Sequence, residues 1–254
     1  LYAAQTGNAG KRYWFHVKPN ISMLINQGKQ DVKLEDIYAE ILKRLKEKTN
    51  NRIQLFNVLV DPSEDIPEQV KPTLVILHPK HTASADGPNN TTKTLIEKIA
   101  TKKGNTERIY RNTILFLVAS DGASGKLQSD IREYLACQKI ASDYSSTLER
   151  DQKEDLRKRM DDASKSTDSA LVTAYATISK FSVKNGCESI QLKQFKDSID
   201  NQINTNIIEI LKSEEWLLEN IGLNLLRNNN LLPTEAAPVK ARDVYETFLR
   251  FDDK

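Results

Sequence analysis

The stretch ILFLVASDGASGKLQSDIREYL, residues 114–135, joins an apolar run, a turn with Gly and Ser, and a helical pattern. The apolar run is nearly continuous, which is typical of a strand that is covered on both faces of a parallel sheet. After the turn, Leu127, Ile131, Tyr134 and Leu135 recur at the spacing of one helix face. We therefore predict a central strand that leads into a helix packed against it.

The turn in this stretch partly matches the phosphate-binding loop G-x-x-x-x-G-K-[ST]. Gly125 and Lys126 fit the motif, but Ser120 stands in place of the first glycine and Leu127 in place of the hydroxyl residue. The glycine permits the sharp turn and the hydroxyl holds magnesium, which a leucine cannot do. We interpret the stretch as an ordinary strand-to-helix turn, and we predict no catalytic residue, cofactor or metal in this chain.

The surrounding sequence alternates strand and helix patterns. Short apolar runs bounded by Pro or by charged residues predict strands at 12–19, 52–60, 72–79 and 112–120. Amphipathic helical patterns lie between them. This alternation favours the α/β class, with a mainly parallel sheet of three to four strands and flanking helices. We predict that the α/β lobe spans residues 1–143.

The composition changes after residue 143. The segment LERDQKEDLRKRMDDASKS mixes both signs of charge with few apolar side chains, and it predicts a long solvated helix that connects two lobes at 144–185. The rest, 186–254, contains short helical patterns that are broken by an Asn run and by Pro233. We predict a small helical lobe there, and its order of elements resembles a winged-helix arrangement.

The bulk composition restricts the class of protein. The net charge of +2 gives no strong global field for or against nucleic acid. Cys137 and Cys187 are far apart in sequence, which favours reduced thiols in a cytoplasmic protein. No apolar run reaches the roughly 18–20 residues of a membrane span, so we predict no membrane partner. Because the chain begins with Leu1 instead of Met, we expect it to be a piece of a longer protein.

Two groups of side chains suggest metal or acid chemistry only weakly. His78 and His81 are three residues apart, and a metal site would need a third ligand such as Asp86. Asp61 and the acidic residues at 64–65 follow a strand, where metal-dependent nucleases place carboxylates. The neighbouring prolines and the absence of a following D/E-x-K strand favour a polar turn instead. No G-x-S-x-G elbow for a nucleophilic serine is present.

Basic residues beside aromatic residues form a further candidate. Arg108 and Arg111 flank Tyr110 before the central strand, and Arg12 precedes two aromatic residues. Arginine beside an aromatic ring can hold phosphate and stack on bases. A strand edge with solvated charges is the alternative, and both interpretations stay open.

The predicted last helix carries Lys240, Arg242 and Arg250. A nucleic-acid recognition helix needs its basic residues on one exposed face. Asp243 and Glu246 on the same helix weaken this interpretation. A nucleic-acid face and an ordinary charged helix therefore both stay open.

Three stretches together carry a family resemblance: KRYWFHVKPNISMLI, LFNVLVDPSEDIPEQVKPTLVILHP and RIYRNTILFLVASDGASGKLQSDIREYLACQKI. In this order and spacing they resemble the C-terminal portion of the domain-of-unknown-function family four-nine-nine. That family consists of large prokaryotic AAA-like P-loop ATP-binding proteins found in phage-defence gene clusters. The resemblance is carried by residues 12–15, 19–20, 62–67 and 110–112, and the closing VKARDVYETFLRF is similar to the family's final helix.

The resemblance implies that the phosphate loop, with ATP and magnesium, lies upstream in the longer protein. It also implies that Arg12 and Arg111 sense the phosphates of that nucleotide, since an arginine in this role stabilises charge during phosphoryl transfer. The predicted function is a non-catalytic C-terminal accessory region of a cytoplasmic ATPase. It would couple the nucleotide state of the ATPase core to DNA or to a protein partner.

Two other functions stay open. One is a nucleic-acid-binding module that acts without nucleotide, whose binding would weaken with salt. The other is a scaffold piece that forms homo-oligomers through an exposed apolar patch.

Overall fold

The computed structural model describes residues 2–7, 10–14, 20–50, 53–233 and 238–250, and the first two of these ranges only as backbone. Parts of two predicted strands and of the family motif, at 15–19 and at 52, lie outside the described residues.

The described strands and helices alternate through most of the chain. The strands are β1 Tyr2–Gly7, β2 Gly10–Trp14, β3 Asn57–Val60, β4 Thr73–Ile76, β5 Thr82–Ser84, β6 Gly87–Pro88, β7 Lys102–Lys103, β8 Thr106–Glu107, β9 Ile114–Ser120, β10 Thr177–Ser182 and β11 Gly186–Gln191. The helices are α1 Ile21–Asp31, α2 Leu34–Thr49, α3 Asn90–Thr101, α4 Asp121–Asp143, α5 Arg150–Ala174, α6 Ile199–Asn201, α7 Ile208–Ser213, α8 Leu223–Asn228 and α9 Ala241–Arg250. A 3₁₀ turn, Arg111–Thr113, precedes β9, and a π-helical stretch, Gln202–Ile207, joins α6 to α7.

The main sheet is mixed, in the order β11-β10-β9-β4-β3. β3, β4 and β9 are parallel, whereas β10 pairs antiparallel with both β9 and β11. β5 runs parallel beside the end of β9 and forms a short hairpin with β6. The predicted α/β class and the flanking helices are confirmed, and the parallel arrangement holds for the central strands.

The predicted helical connector at 144–185 is wrong in its last part, because α5 ends at Ala174 and β10 follows. The predicted helical lobe at 186–254 likewise begins with a strand, β11. Buried polar residues of β10 obscured this hairpin in the sequence. Thr177 donates its hydroxyl to Gln191 (3.0 Å), and Ser179 bonds Ser189 across the pair (2.8 Å).

Helices cover both faces of the sheet because successive strand residues point to opposite sides. Val75 and Phe116 pack with α3 on one face, whereas Leu74, Ile76 and Leu117 pack with α2, α4 and α5 on the other. The same second cluster takes in the apolar residues of α6, α7 and the π-helical stretch between them. One core therefore joins residues from all three predicted segments, while their division into lobes stays a prediction.

α1, α4 and α5 form an arm with an apolar cluster of its own. α4 has 23 residues and α5 has 25, so each is about 35 Å long. Arg44 of α2 fastens this arm to the sheet: its Nε lies 2.7 Å from Glu40 and its Nη1 2.9 Å from Asp168. Its guanidinium also lies 4.4 Å from the ring centre of Tyr134. Burial is the largest single effect on the pKa of Arg44 and acts to lower it. The hydrogen bonds and charges of Glu40 and Asp168 together outweigh burial, so the pKa is raised.

Candidate functional site

The turn after the central strand contains no phosphate-type loop, since α4 begins directly at Asp121. Gly125 and Lys126 are both helical, and the ammonium of Lys126 lies 2.7 Å from Asp130 and 3.2 Å from the hydroxyl of Ser166. A phosphate loop needs a wide turn at this place so that several N–H groups can converge on the phosphates. The residues that match half of the motif therefore form the first turns of a long helix.

Arg108 is neither a phosphate ligand nor a solvated charge, the two interpretations that its sequence context left open. Its side chain is 2% exposed. The guanidinium donates to the carbonyls of Ile99 (3.0 Å), Ile66 (2.9 Å) and Lys102 (3.2 Å). Two of these acceptors lie at the end of α3, where helix carbonyls lack partners and a cation is favoured. Arg108 therefore caps α3, and its burial lowers its pKa, an effect that Glu68 and Asp65 oppose.

Arg111, one of the two predicted sensor arginines, lies in the turn before β9. Its Nη2 is 3.0 Å from Glu107, and its Nε donates to the carbonyl of Arg108 (3.2 Å). Its side chain is partly exposed and Glu107 is mostly exposed, so solvent can reach this pair. Arg12 lies on β2, of which the structure describes only the backbone.

The three basic residues predicted to bind nucleic acid lie on or beside α9. Lys240 precedes the helix, and its carbonyl accepts the first intrahelical bonds. Glu246 lies between Arg242 and Arg250 and pairs with both, at 2.9 and 3.0 Å. The bond from Arg242 lowers the pKa of Glu246, which keeps this carboxylate charged. The two arginines therefore share one carboxylate, which offsets one of their two positive charges.

The structure brings the Arg111 turn and α9 together, although they are far apart in sequence. Asn112 donates its side-chain amide to the carbonyl of Phe248 in α9 (3.0 Å). Four of the five predicted site residues therefore lie on or beside the two elements that this contact joins.

A groove opens beside this contact, and we call it the α9 groove. It has a volume of about 570 Å³ and lies between α9, the β10–β11 hairpin and residues 215–221. Leu55, Leu217 and Leu218 also line a neighbouring cavity of about 580 Å³ against α7, so the two cavities share these side chains. Leu249 closes the groove from the side of α9.

Trp216 is the largest aromatic residue of the α9 groove. Just after α7, Glu215 adopts a left-handed conformation (φ 57°). The N–H of Trp216 then donates a hydrogen bond to the carbonyl of Leu211 (2.8 Å), which closes the end of the helix. This helix ending fixes the backbone of Trp216, and the ammonium of Lys180 lies 4.4 Å from the centre of its ring. Trp216 could not be found from the sequence, because its contact with Lys180 depends on β10 being in the sheet.

The charges that line the α9 groove are balanced. Lys180 pairs with Glu188 at 3.5 Å, and Lys184 and Glu215 add one charge of each sign. The Asn185-Gly186 pair, a hairpin signal visible in the sequence, forms the turn with Gly186 at φ 74°, and Lys184 lies on this turn whereas Lys180 lies within β10.

His78 and His81 lie in the five-residue connection, 77–81, that separates β4 from β5 at the carboxyl edge of the parallel strands. The N–H of His81 donates to the carbonyl of His78 (2.9 Å), and Tyr38 packs edge-on against the His78 ring at 4.9 Å. Burial lowers the pKa of both histidines, while Asp61 acts in the opposite direction. In the described part of the chain, no three His, Cys, Asp or Glu side chains are arranged to hold a metal.

The acidic residues that follow β3 are dispersed. Asp61 directly follows β3 and has a left-handed backbone conformation (φ 46°). Glu64 forms an ion pair with Lys98 of α3. Among the described residues, these carboxylates are not part of any group of three that could hold a metal ion.

Comparison with known proteins finds no matching family, no curated relative and no similar solved structure. Among the described helices, none has the length and apolar character required to cross a lipid bilayer.

Proposed function

We propose that this chain is a non-catalytic accessory region of a cytoplasmic P-loop ATPase, and that it couples the nucleotide state of the ATPase to a partner protein. The ATPase part rests on the family resemblance of residues 12–15, 62–67 and 110–112. The coupling part rests on one contact, the hydrogen bond from Asn112 to the carbonyl of Phe248. ATP and magnesium would bind to the rest of the longer protein.

This contact supports coupling because Arg111 and Asn112 are neighbours in the same 3₁₀ turn. A nucleotide phosphate would compete with Glu107 for the guanidinium of Arg111. Drawing Arg111 away would reorient the turn and with it the amide of Asn112. Since that amide holds Phe248, the position of α9 and the width of the α9 groove would follow the state of the nucleotide.

The α9 groove favours a protein partner over nucleic acid. Nucleic-acid affinity comes mainly from an excess of cations on the phosphate path, and the charges that line the groove are balanced. Trp216 and several leucines line the groove beside its polar residues, and such a mixture with an aromatic anchor is typical of a protein-docking surface. The resemblance of 186–254 to a winged helix stays a prediction, and the coupling proposal does not depend on it.

The first test uses the longer protein that contains the ATPase core. Arg111→Ala is expected to lower ATP turnover by about tenfold or more, because a sensing arginine acts on the transition state. Arg159→Ala is the matched control, since Arg159 also forms an i,i+4 ion pair, with Asp155 on the distant arm. Equal turnover in the two variants would contradict the sensor role.

The coupling step is tested by hydrogen exchange in α9. A non-hydrolysable ATP analogue is expected to change exchange at 241–250, and Asn112→Ala is expected to abolish this change while leaving ATP turnover intact. A response of α9 that persists in Asn112→Ala would exclude this contact as the link.

The nucleic-acid alternative is tested by fluorescence anisotropy with a labelled duplex and a labelled single strand, at low and moderate salt. Binding that weakens steeply with salt and is lost when Lys240, Arg242 and Arg250 are replaced by Glu would favour that alternative over a protein partner.

A further inference from the structure

The outer edge of β3 is free to pair with another strand. β3 pairs with β4 on one side, and no other described strand lies on its opposite side. The N–H of Asn57 donates to Pro72 (2.8 Å) and that of Asp61 to Ile76 (2.9 Å). In a parallel ladder, alternate residues direct both N–H and C=O to the same neighbour. The peptide groups of residues 57, 59 and 61 therefore face β4, and those at 58 and 60 face outward.

A channel of about 450 Å³ runs along this edge. One wall is the strand itself, and the other includes the last turns of α2. No hydrogen bond from a described residue reaches the backbone of Val58 or Val60 on this side. The channel therefore offers two N–H donors and two carbonyl acceptors in the spacing of a strand.

The side chains that line the channel carry charge of one sign. Lys46 and Lys71 contribute two ammonium groups, and no Asp or Glu is among the described residues that line the channel. Both lysines are exposed, and neither forms an ion pair with a described residue. This contrasts with the lysines of the α9 groove, where carboxylates balance the charge.

We propose that the β3 edge binds an extended segment of a partner protein by strand addition, and that this segment carries acidic side chains at alternate positions. Main-chain hydrogen bonds to residues 58 and 60 would supply the register, and Lys46 and Lys71 would select the acidic side chains. This inference concerns a different surface from the α9 groove and does not rest on the proposed function.

The same charges argue against a second copy of this chain as the occupant. Pairing two β3 edges would bring two copies of Lys46 and Lys71 together, and like charges across an interface are unfavourable. Single-stranded nucleic acid is also a poorer fit, because the described lining of the channel offers no exposed aromatic ring for base stacking beside the lysines.

The test uses this chain and two fluorescein-labelled peptides, (Glu-Val)₃ and (Lys-Val)₃, in anisotropy titrations at low salt. We expect (Glu-Val)₃ to bind and (Lys-Val)₃ to bind at least about tenfold more weakly. Methylation of alternate backbone nitrogens in (Glu-Val)₃ is expected to abolish binding, because it removes the main-chain donors. Absence of binding by (Glu-Val)₃, or equal binding of the two peptides, would overturn the proposal.

Variants of the edge locate the site. Val58→Pro removes an outward N–H without touching the ladder to β4, a position at which edge strands accept proline. It is expected to weaken (Glu-Val)₃ by about tenfold or more, whereas the matched control Val58→Thr keeps the N–H and the affinity. Unchanged affinity in Val58→Pro would refute strand addition at β3.

If circular dichroism shows that Val58→Pro is unfolded, the double variant Lys46→Glu with Lys71→Glu, at two exposed positions, tests the site instead. This variant is expected to bind (Lys-Val)₃ more tightly than (Glu-Val)₃, and an unchanged preference for (Glu-Val)₃ would refute the role of the lysines. Sedimentation and competition test the other occupants. A dimer that (Glu-Val)₃ dissociates would assign the edge to a second copy, and displacement of the peptide by single-stranded DNA would assign it to nucleic acid.

Discussion

Replacing Arg108 by Met is expected to lower the free energy of unfolding by about 3 kcal/mol, far more than the same change at Arg111. The guanidinium of Arg108 serves two carbonyls through buried bonds and a third, on Lys102, that water can reach. Leaving a buried acceptor unpaired costs about 1–3 kcal/mol, so the two buried carbonyls together account for about 2–6 kcal/mol. Removing the buried charge of the guanidinium recovers part of this free energy, so the expected loss is about 3 kcal/mol, in the lower half of the range.

Arg111→Met is the matched control, since it lies three residues away in the same segment. Its ion pair with Glu107 is open to solvent, and such pairs contribute about 0.3–0.5 kcal/mol. Urea unfolding followed by circular dichroism measures both variants. For a chain of this size, the loss in Arg108→Met corresponds to a melting temperature roughly 6–12 °C lower.

Comparison of the two arginine variants can also refute the role of Arg108 as the cap of α3. If the variants unfold within about 1 kcal/mol of each other, the end of α3 does not depend on the guanidinium, and the cap is refuted. Arg108→Lys refines the test. One ammonium cannot replace two guanidinium nitrogens that point to separate carbonyls, so this variant is expected to lie between wild type and Arg108→Met.

Three further changes test the core and the carboxyl edge of the sheet by urea unfolding. Tyr175→Phe is expected to cost about 1 kcal/mol, because it removes a buried hydroxyl that donates to a backbone carbonyl (3.2 Å) without leaving a cavity. Arg44→Met is expected to cost about 3 kcal/mol, because it leaves the buried carboxylate of Glu40 with only the more distant ammonium of Lys43 (3.7 Å), and Glu40→Gln in the same chain should restore part of this loss. Burial lowers the pKa of His78 and His81, so the folded protein binds fewer protons than the unfolded chain. The free energy of unfolding is therefore unaffected by these histidines above their ordinary pKa of 6.5, and it decreases as the pH falls below that value. Replacing both histidines by Asn should make the free energy of unfolding less dependent on pH in this range.

The central strands and the helix after them could be predicted from the sequence because burial and periodicity agree there. β9 is an apolar run that is covered on both faces, and α4 repeats apolar residues along one side. β10 could not be found in the same way, because its buried Thr177 and Ser179 are polar and are satisfied only by residues of β11. The Asn185-Gly186 pair was the one local signal for this hairpin.

The candidate site was less predictable than the fold. The compensation of Arg242 and Arg250 by Glu246 follows from i,i+4 spacing and was visible in the sequence. The role of Arg108 was not, because its acceptors depend on the β7–β8 hairpin, which returns the chain to the end of α3. The contact between Asn112 and α9 joins positions that no local pattern connects.

The shared core has a consequence for synthesis of the chain on the ribosome. β3, β4, β9, α2 and α4 are complete at residue 143, but the apolar cluster around Leu74, Ile76 and Leu117 is completed only by α5 and by residues 199–211. At about 5–20 residues per second, the intervening translation takes about 3–14 s. During that time the nascent chain presents a partly uncovered apolar cluster, so chaperone binding and aggregation are expected to be concentrated in this interval.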